Sequence, residues 1–129
     1  MAVTHTTTFR STVADLVDST IGASGNLVFR LSGTADAPGT AVATLPFSTT
    51  AFGAASSGVI TAGAITSDTN ATGNASPVAN ATFQTSGGTV VVHVAVSTSG
   101  SDINITTGGL TIGAGDTVSC SALTYTAMP

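Results

Sequence analysis

Short segments in which apolar and polar residues alternate, separated by glycine-containing turns, limit the folds open to this chain. The clearest covers residues 89–96, where valine occupies every even position and His93 lies between two valines. Such alternation places successive side chains on opposite faces of a β-strand. Similar segments recur about every 8–14 residues from residue 26 onward, a spacing typical of sandwiches and barrels. We therefore expect a mainly β fold, either an antiparallel β-sandwich or a jelly-roll-like barrel.

The apolar residues near the start of the chain follow a helical period instead. Their spacing predicts one short N-terminal helix over residues 9–21, with Ser11 as a candidate N-cap and Gly22 at its end. Asp15 lies near the positive end of this helix, where a carboxylate is favoured. The residues that define the period are Val13, Leu16, Val17 and Ile21.

Length and pattern together indicate one domain preceded by an arm. A chain of 129 residues has the length of a single domain. Residues 1–8 are rich in threonine and have no periodic pattern, so we expect an extended N-terminal arm. Residues 9–129 then form a single β domain, with the helix over about 9–21 and strands from residue 26 onward.

The chain has very few charged side chains, and this argues against several classes of function. It contains no lysine, glutamate or tryptophan, and its two arginines and six aspartates give a net charge of −4. Two separated arginines cannot form the basic cluster that binds nucleic acid or an anionic membrane surface. Proteins with little net charge tend to associate, which is a property suited to a component of an assembly.

Targeting signals are not recognisable in the sequence. The first residues have neither a basic region nor an apolar core, so we predict no secretory signal. No apolar run approaches the ~20 residues that a transmembrane helix needs. We expect synthesis in a cytoplasm.

Few residues are candidates for catalysis or metal binding. A metal site or catalytic triad needs several converging groups, and the chain has only two histidines. Asp102 or Asp116 could pair with His93 in the folded chain, which the sequence alone cannot show. Residues 68–70 resemble part of a calcium loop but lack most of its ligands. We predict no catalytic residue, no cofactor and no metal site.

The cysteine and the phenylalanines are expected to be structural. Cys120 is the only cysteine, so no disulfide can form within the chain, and we predict that it is a small buried strand residue. Surfaces that bind bases or sugars favour exposed aromatic rings, and tryptophan is absent here. We therefore assign the phenylalanines to the core: Phe9, Phe29, Phe47, Phe52 and Phe83.

Several segments resemble a group of small structural proteins of tailed bacteriophages. Those proteins carry a short N-terminal helix that ends in glycine, then a strand and an all-β remainder. The resemblance implies a virion structural protein of the head-decoration or cement type, and it brings no catalytic residue with it. The matching segments are residues 18–25, 51–60, 64–68, 114–119 and 123–126.

The resemblance leads to a first hypothesis, a capsid cement protein that binds the outer surface of the phage head and stabilises the shell. Its partners would be the major capsid protein and further copies of itself, as a homotrimer at sites of local threefold symmetry. It would be made in the host cytoplasm and located on the capsid exterior. The candidate capsid-binding arm, which would bind by strand addition, consists of Ala2, Val3, Thr4, His5, Thr6, Thr7 and Thr8.

Two other hypotheses remain open. A tail or tail-fibre component has the same expected composition and differs from a cement protein in its copy number per virion. An enzyme or small-ligand module needs a convergent Asp/His or Asp/Asn site in the folded chain, with calcium as the metal to test. Our expectation is that the protein is not an enzyme.

Overall fold

The computed structural model describes residues 3–106 and 108–127, and in these ranges one helix precedes seven short β-strands. The fold is therefore mainly β with one short N-terminal helix, as the sequence predicts. In chain order the elements are α1 (Thr7–Ile21), β1 (Asn26–Arg30), β2 (Ala41–Pro46), β3 (Val59–Thr61), β4 (Asn80–Gln84), β5 (Val90–Ser97), β6 (Ile103–Asn104) and β7 (Thr124–Thr126).

Five of the strands form one sheet, in the order β2-β1-β4-β5-β6, which curls into a half-barrel. The first four strands pair antiparallel, whereas β6 runs parallel to the end of β5 over two residues. The sheet is therefore mixed. Residues 98–102 return the chain to the level of Val96, and β6 then runs in the same direction as β5. Strands β3 and β7 pair antiparallel in a separate two-stranded sheet.

The core lies against one face of the five-stranded sheet. Leu27 and Phe29 of β1 point into it from alternate positions, as the period of two predicts. Three phenylalanine rings meet at its centre: Phe47 and Phe52 have ring centroids 5.6 Å apart, and each lies 6.0 Å from Phe83. Contacts of this length are favourable between aromatic rings.

One phenylalanine is not part of this core. The prediction that all five rings are buried is wrong for Phe9, whose side chain is 48% exposed, while the other four are at most 5% exposed. Phe9 belongs to the first turns of α1, and that side of the helix faces solvent.

The opposite face of the sheet carries a hydrogen-bond network centred on Arg30. Its Nε donates to Thr82 Oγ1 (3.1 Å), and its two terminal nitrogens donate to Gly39 O (2.7 Å) and Gln84 Oε1 (2.8 Å). Burial lowers the pKa of Arg30, because desolvation disfavours the charged form. One of the two arginines therefore joins β1, β4 and the β1–β2 connection.

The helix differs from its prediction at the start. It begins at Thr7, two residues before the predicted start, and Thr6 rather than Ser11 caps it, by accepting a hydrogen bond from Phe9 N (3.2 Å). It ends as predicted at Gly22, whose φ of 71° favours glycine and whose N–H donates to Asp18 O. No helix in the described part of the chain is long and apolar enough to span a bilayer.

The last part of the chain has less strand structure than its pattern suggests. Of the strand expected over residues 117–127, only β7 forms, and residues 110–112 form no strand. An isolated bridge between Asp68 and Val118 takes the place of a longer ladder. The alternation there involves mostly serine, threonine and alanine, whose small side chains bury too little apolar surface to specify a strand.

We predict that Phe52→Ala lowers the free energy of unfolding by about 3–5 kcal/mol, because it leaves a cavity beside Phe47 and Phe83. The matched control is Phe9→Ala, which removes the same atoms from an exposed site and should change stability by no more than about 0.5 kcal/mol. Urea denaturation of both variants measures the difference. Equal losses would contradict this description of the core.

Candidate functional site

The helix α1 packs on the core through Ala14 and Ile21, and its polar side is bonded to a loop. Three of its side chains accept hydrogen bonds from backbone N–H groups of residues 52–58, and we call this set the helix–loop ladder. Because these residues belong to a loop, their N–H groups have no regular helical or sheet partner and need acceptors. The bonds join Gly58 N to Ser11 Oγ (3.1 Å), Ala55 N to Asp15 Oδ1 (2.8 Å) and Phe52 N to Asp18 Oδ1 (2.9 Å).

The spacing of the three acceptors explains why they act together. Positions 11, 15 and 18 lie on one side of a helix, since residues three and four apart are neighbours on its surface. Two of the acceptors are carboxylates, which form stronger hydrogen bonds than neutral groups. Gly58 has a φ of 79°, and a Cβ there would lie 3.0 Å from the Arg10 Cβ. Glycine at this position therefore permits the close approach of helix and loop.

The opposite side of α1 is apolar and faces solvent. Leu16 is 61% exposed and Phe9 is 48% exposed. They are seven residues apart, about two helical turns, so they lie on the same side, whereas Asp18 is two and a half turns from Phe9 and lies opposite. The hydroxyls of Thr12 and Thr20 on this side donate to backbone oxygens of their own helix, at 3.1 and 2.6 Å.

We call this surface the N-terminal apolar face and define it by Phe9, Thr12, Leu16 and Thr20. The face carries no charged side chain, and its threonine hydroxyls are already bonded within the helix. The N-terminal apolar face therefore differs from most exposed helix faces, which normally carry charged side chains.

The predicted arm residues are divided between an extended segment and the helix. Val3, Thr4 and His5 precede α1, and the His5 ring stacks on Phe9 with centroids 5.5 Å apart. Thr6 is the N-cap. Thr7 and Thr8 belong to the first turn of α1. Ala2 lies outside the described residues.

The residues considered for metal binding or catalysis serve local structure. Asp68 accepts from Thr44 N (2.9 Å) and Asn70 N (3.0 Å). The described ranges contain no group of three or more His, Cys, Asp or Glu side chains that could hold a metal ion. Residues 68–70, considered as part of a calcium loop, form a turn in which Asp68 accepts from the backbone of Asn70.

No hydrogen bond described for the chain joins His93 to either proposed aspartate. Asp102 accepts from Ala95 N (3.0 Å) and Asp116 from Gly113 N (2.8 Å). The buried Nε2 of His93 has no hydrogen-bond partner among the described residues. The pairing that the sequence left open is therefore not formed through Nε2 among the described residues.

Cys120 lies beside an open groove of about 660 Å³ formed by the loops of residues 102–124. It is half-buried and outside any strand, so the predicted strand position is wrong. Its Sγ donates to Ala122 O (3.4 Å). Burial raises the pKa of the thiol, which leaves less of the reactive thiolate at neutral pH.

The sequence held a signal for the N-terminal apolar face that the helical prediction did not use. Three residues of the predicted apolar stripe, Val13, Val17 and Ile21, pack against the core, whereas Leu16 faces solvent. The polar stripe of Ser11, Asp15 and Asp18 marks the side of the helix that is bonded to the loop.

No protein-family model matches the chain, and comparisons with curated proteins and with solved structures find no significant match.

We predict that Asp18→Ala lowers the free energy of unfolding by about 1–3 kcal/mol, because Phe52 N loses its acceptor. Hydrogen exchange of the Phe52 amide should accelerate more than that of the Ala81 amide in β4. The control is Asp36→Ala in an exposed turn, with an expected change within about 0.5 kcal/mol. Equal free energies of unfolding for the two variants would show that the helix–loop ladder does not stabilise the fold.

Proposed function

We propose that this chain is a virion structural protein of a bacteriophage, a decoration or cement protein that binds the outer surface of the head and stabilises the shell. The observation that carries the proposal is the N-terminal apolar face, an uncharged surface held outward by the helix–loop ladder. The role is mechanical and needs no catalytic step, cofactor or metal. The partner is the major capsid protein.

The physical argument concerns what an exposed apolar face does in water. Leu16 and Phe9 remain largely in solvent although the chain has buried other phenylalanines and leucines. Burying such side chains against a partner gains roughly 25 cal/mol per Å² of apolar surface. Contiguous exposed apolar patches commonly mark protein interaction sites. An uncharged partner surface fits this face best, because no side chain on it compensates a charge.

The resemblance to phage structural proteins supports the same role. Two of the segments that carry it, residues 18–25 and 51–60, contact each other through the bond from Phe52 N to Asp18 Oδ1. These segments help to fix the direction of the N-terminal apolar face. Two of the segments that resemble that group therefore belong to the contact between α1 and its loop, and this contact helps to orient the proposed binding surface.

The finer architecture is also a proposal. We propose that β3 and β7 form the second layer of a small open sandwich over the five-stranded sheet. Ile60 of β3 and Leu123, next to β7, belong to the same buried cluster as Phe83 of β4. Copies of the chain are proposed to assemble as homotrimers at positions of local threefold symmetry, and closed symmetric assemblies of this kind are common.

Copy number distinguishes the decoration role from a tail component. Quantitative mass spectrometry of gradient-purified virions should give about one copy of this chain per copy of the major capsid protein, as a lattice with a repeated binding site requires. A few copies per virion would instead support a tail or tail-fibre component. Absence from the particle would refute the structural role.

A charge placed on the N-terminal apolar face should abolish head binding. We predict that Leu16→Asp weakens binding to undecorated heads by at least about tenfold, because the carboxylate would have to be desolvated at the contact. Ser86→Asp, which adds the same charge in an exposed turn between β4 and β5, should bind like the wild type. Co-sedimentation with heads measures both. Unchanged binding of Leu16→Asp would place the contact elsewhere.

A further inference from the structure

One edge of β5 is unpaired over most of its length. The bond from Val96 N to Ala79 O fixes which residues of β5 face β4, and it directs the backbone groups of His93 and Ala95 the other way. On that side β6 begins only opposite Val96. Among the described residues no strand pairs with β5 along residues 90–95 on this side. The Ala95 N–H is covered, since it donates to Asp102 (3.0 Å).

The strand β7 has a free edge of the same kind. Bonds from Ala62 N to Leu123 O and from Ala127 N to Gly58 O fix its pairing with β3. The alternation of an antiparallel ladder then directs the N–H and C=O groups of Thr124 and Thr126 away from β3. Within the described ranges no other strand pairs with this edge.

The two free edges border one cavity of about 410 Å³. Three consecutive residues of β5 and all three of β7 line it, so it runs along the strand edges rather than over one face of a sheet. Phe83 and Leu123 contribute apolar walls, and among the described residues that line it Asp102 is the one with a formal charge. We call this cavity the edge slot.

We propose that the edge slot binds an extended segment of a second copy of this chain, namely residues 3–6. The inference rests on the proposed self-association and names the contact that produces it. The segment would add a strand beside β5 and pair with the outward groups of His93, Thr124 and Thr126. Strand addition to an unpaired edge is a common mode of peptide recognition.

The segment has the properties that the slot requires. It lies outside any helix or strand, and four extended residues span about 13 Å, enough to follow the three residues of β7. It has no acidic side chain that would repel Asp102, and the ring of His5 carries an N–H that can donate to a carboxylate. Val3 is 78% exposed in its own copy, so the segment does not occupy its own slot.

Alternation of side chains gives the contacts expected in the slot. With Val3 toward the apolar walls formed by Phe83 and Leu123, the Thr4 hydroxyl lies on the other face of the added strand. That is the face on which β5 carries His93, opposite Thr82. The Thr4 hydroxyl would then supply a partner for the buried His93 Nε2, which has none among the described residues.

Sedimentation velocity of the full-length chain tests the proposal with paired variants. We expect concentration-dependent association of the wild type, weakened at least about tenfold by Val3→Asp and by Thr126→Pro, which removes an N–H that points away from β3. Val3→Ile and Thr126→Val are the controls and should associate like the wild type. A monomeric wild type, or association unchanged by Val3→Asp, would overturn the proposal.

Cross-linking identifies the occupant and does not depend on the proline variant folding. In a Cys120→Ser background, chains with Thr4→Cys are mixed with isotope-labelled chains that carry Thr124→Cys, because both side chains would lie on the outer face of the extended sheet. A disulfide between chains of different mass is expected, and its absence would overturn the proposal. A chain carrying both cysteines that cross-links only within itself would do the same. Head binding is measured separately, so either proposal can fail while the other stands.

Discussion

The helix–loop ladder is the interaction on which the arrangement of this molecule depends. Three acceptors on one side of α1 must meet three N–H groups of one loop, and together with the burial of Ala14 and Ile21 this fixes the rotation of the helix about its axis. The N-terminal apolar face is directed to solvent as a consequence. The same loop carries Phe52 into the cluster of rings at the centre of the core. The helix–loop ladder therefore helps to position Phe52 in the core and the apolar face of α1 at the surface.

Residues with strong alternation were the most predictable part of the fold. The alternating valines of β5 and the apolar positions of β1 lie where their period places them. Large β-branched and aromatic side chains bury enough surface to decide which face of a strand turns inward. The apolar period of α1 correctly placed Val13, Val17 and Ile21 against the core, but it also included Leu16, which faces solvent. Hydrophobic periodicity does not show which polar side chains of a helix will bond to a neighbouring loop.

The region after β5 shows the limit of pattern reading most clearly. Its serines, threonines and alanines also follow an alternating pattern, but their small side chains give little preference for either face of a strand. Local bonds decide its structure instead, such as the bond from Gly113 N to Asp116 and the single bridge between Asp68 and Val118. The edge slot could not be predicted from the sequence either, because the strand order decides which strand edges stay unpaired, and no single segment shows that order.

The use of the carboxylates has a consequence for the surroundings in which the protein remains folded. Of the six aspartates in the chain, five accept backbone N–H groups at 2.8–3.0 Å: Asp15, Asp18, Asp68, Asp102 and Asp116. Mobile ions screen charges that are separated by solvent, and they act little on groups already in contact. A fold held by such bonds should tolerate large changes in ionic strength. In the proposed role on the outside of a particle, that insensitivity would extend the range of media in which the particle stays intact.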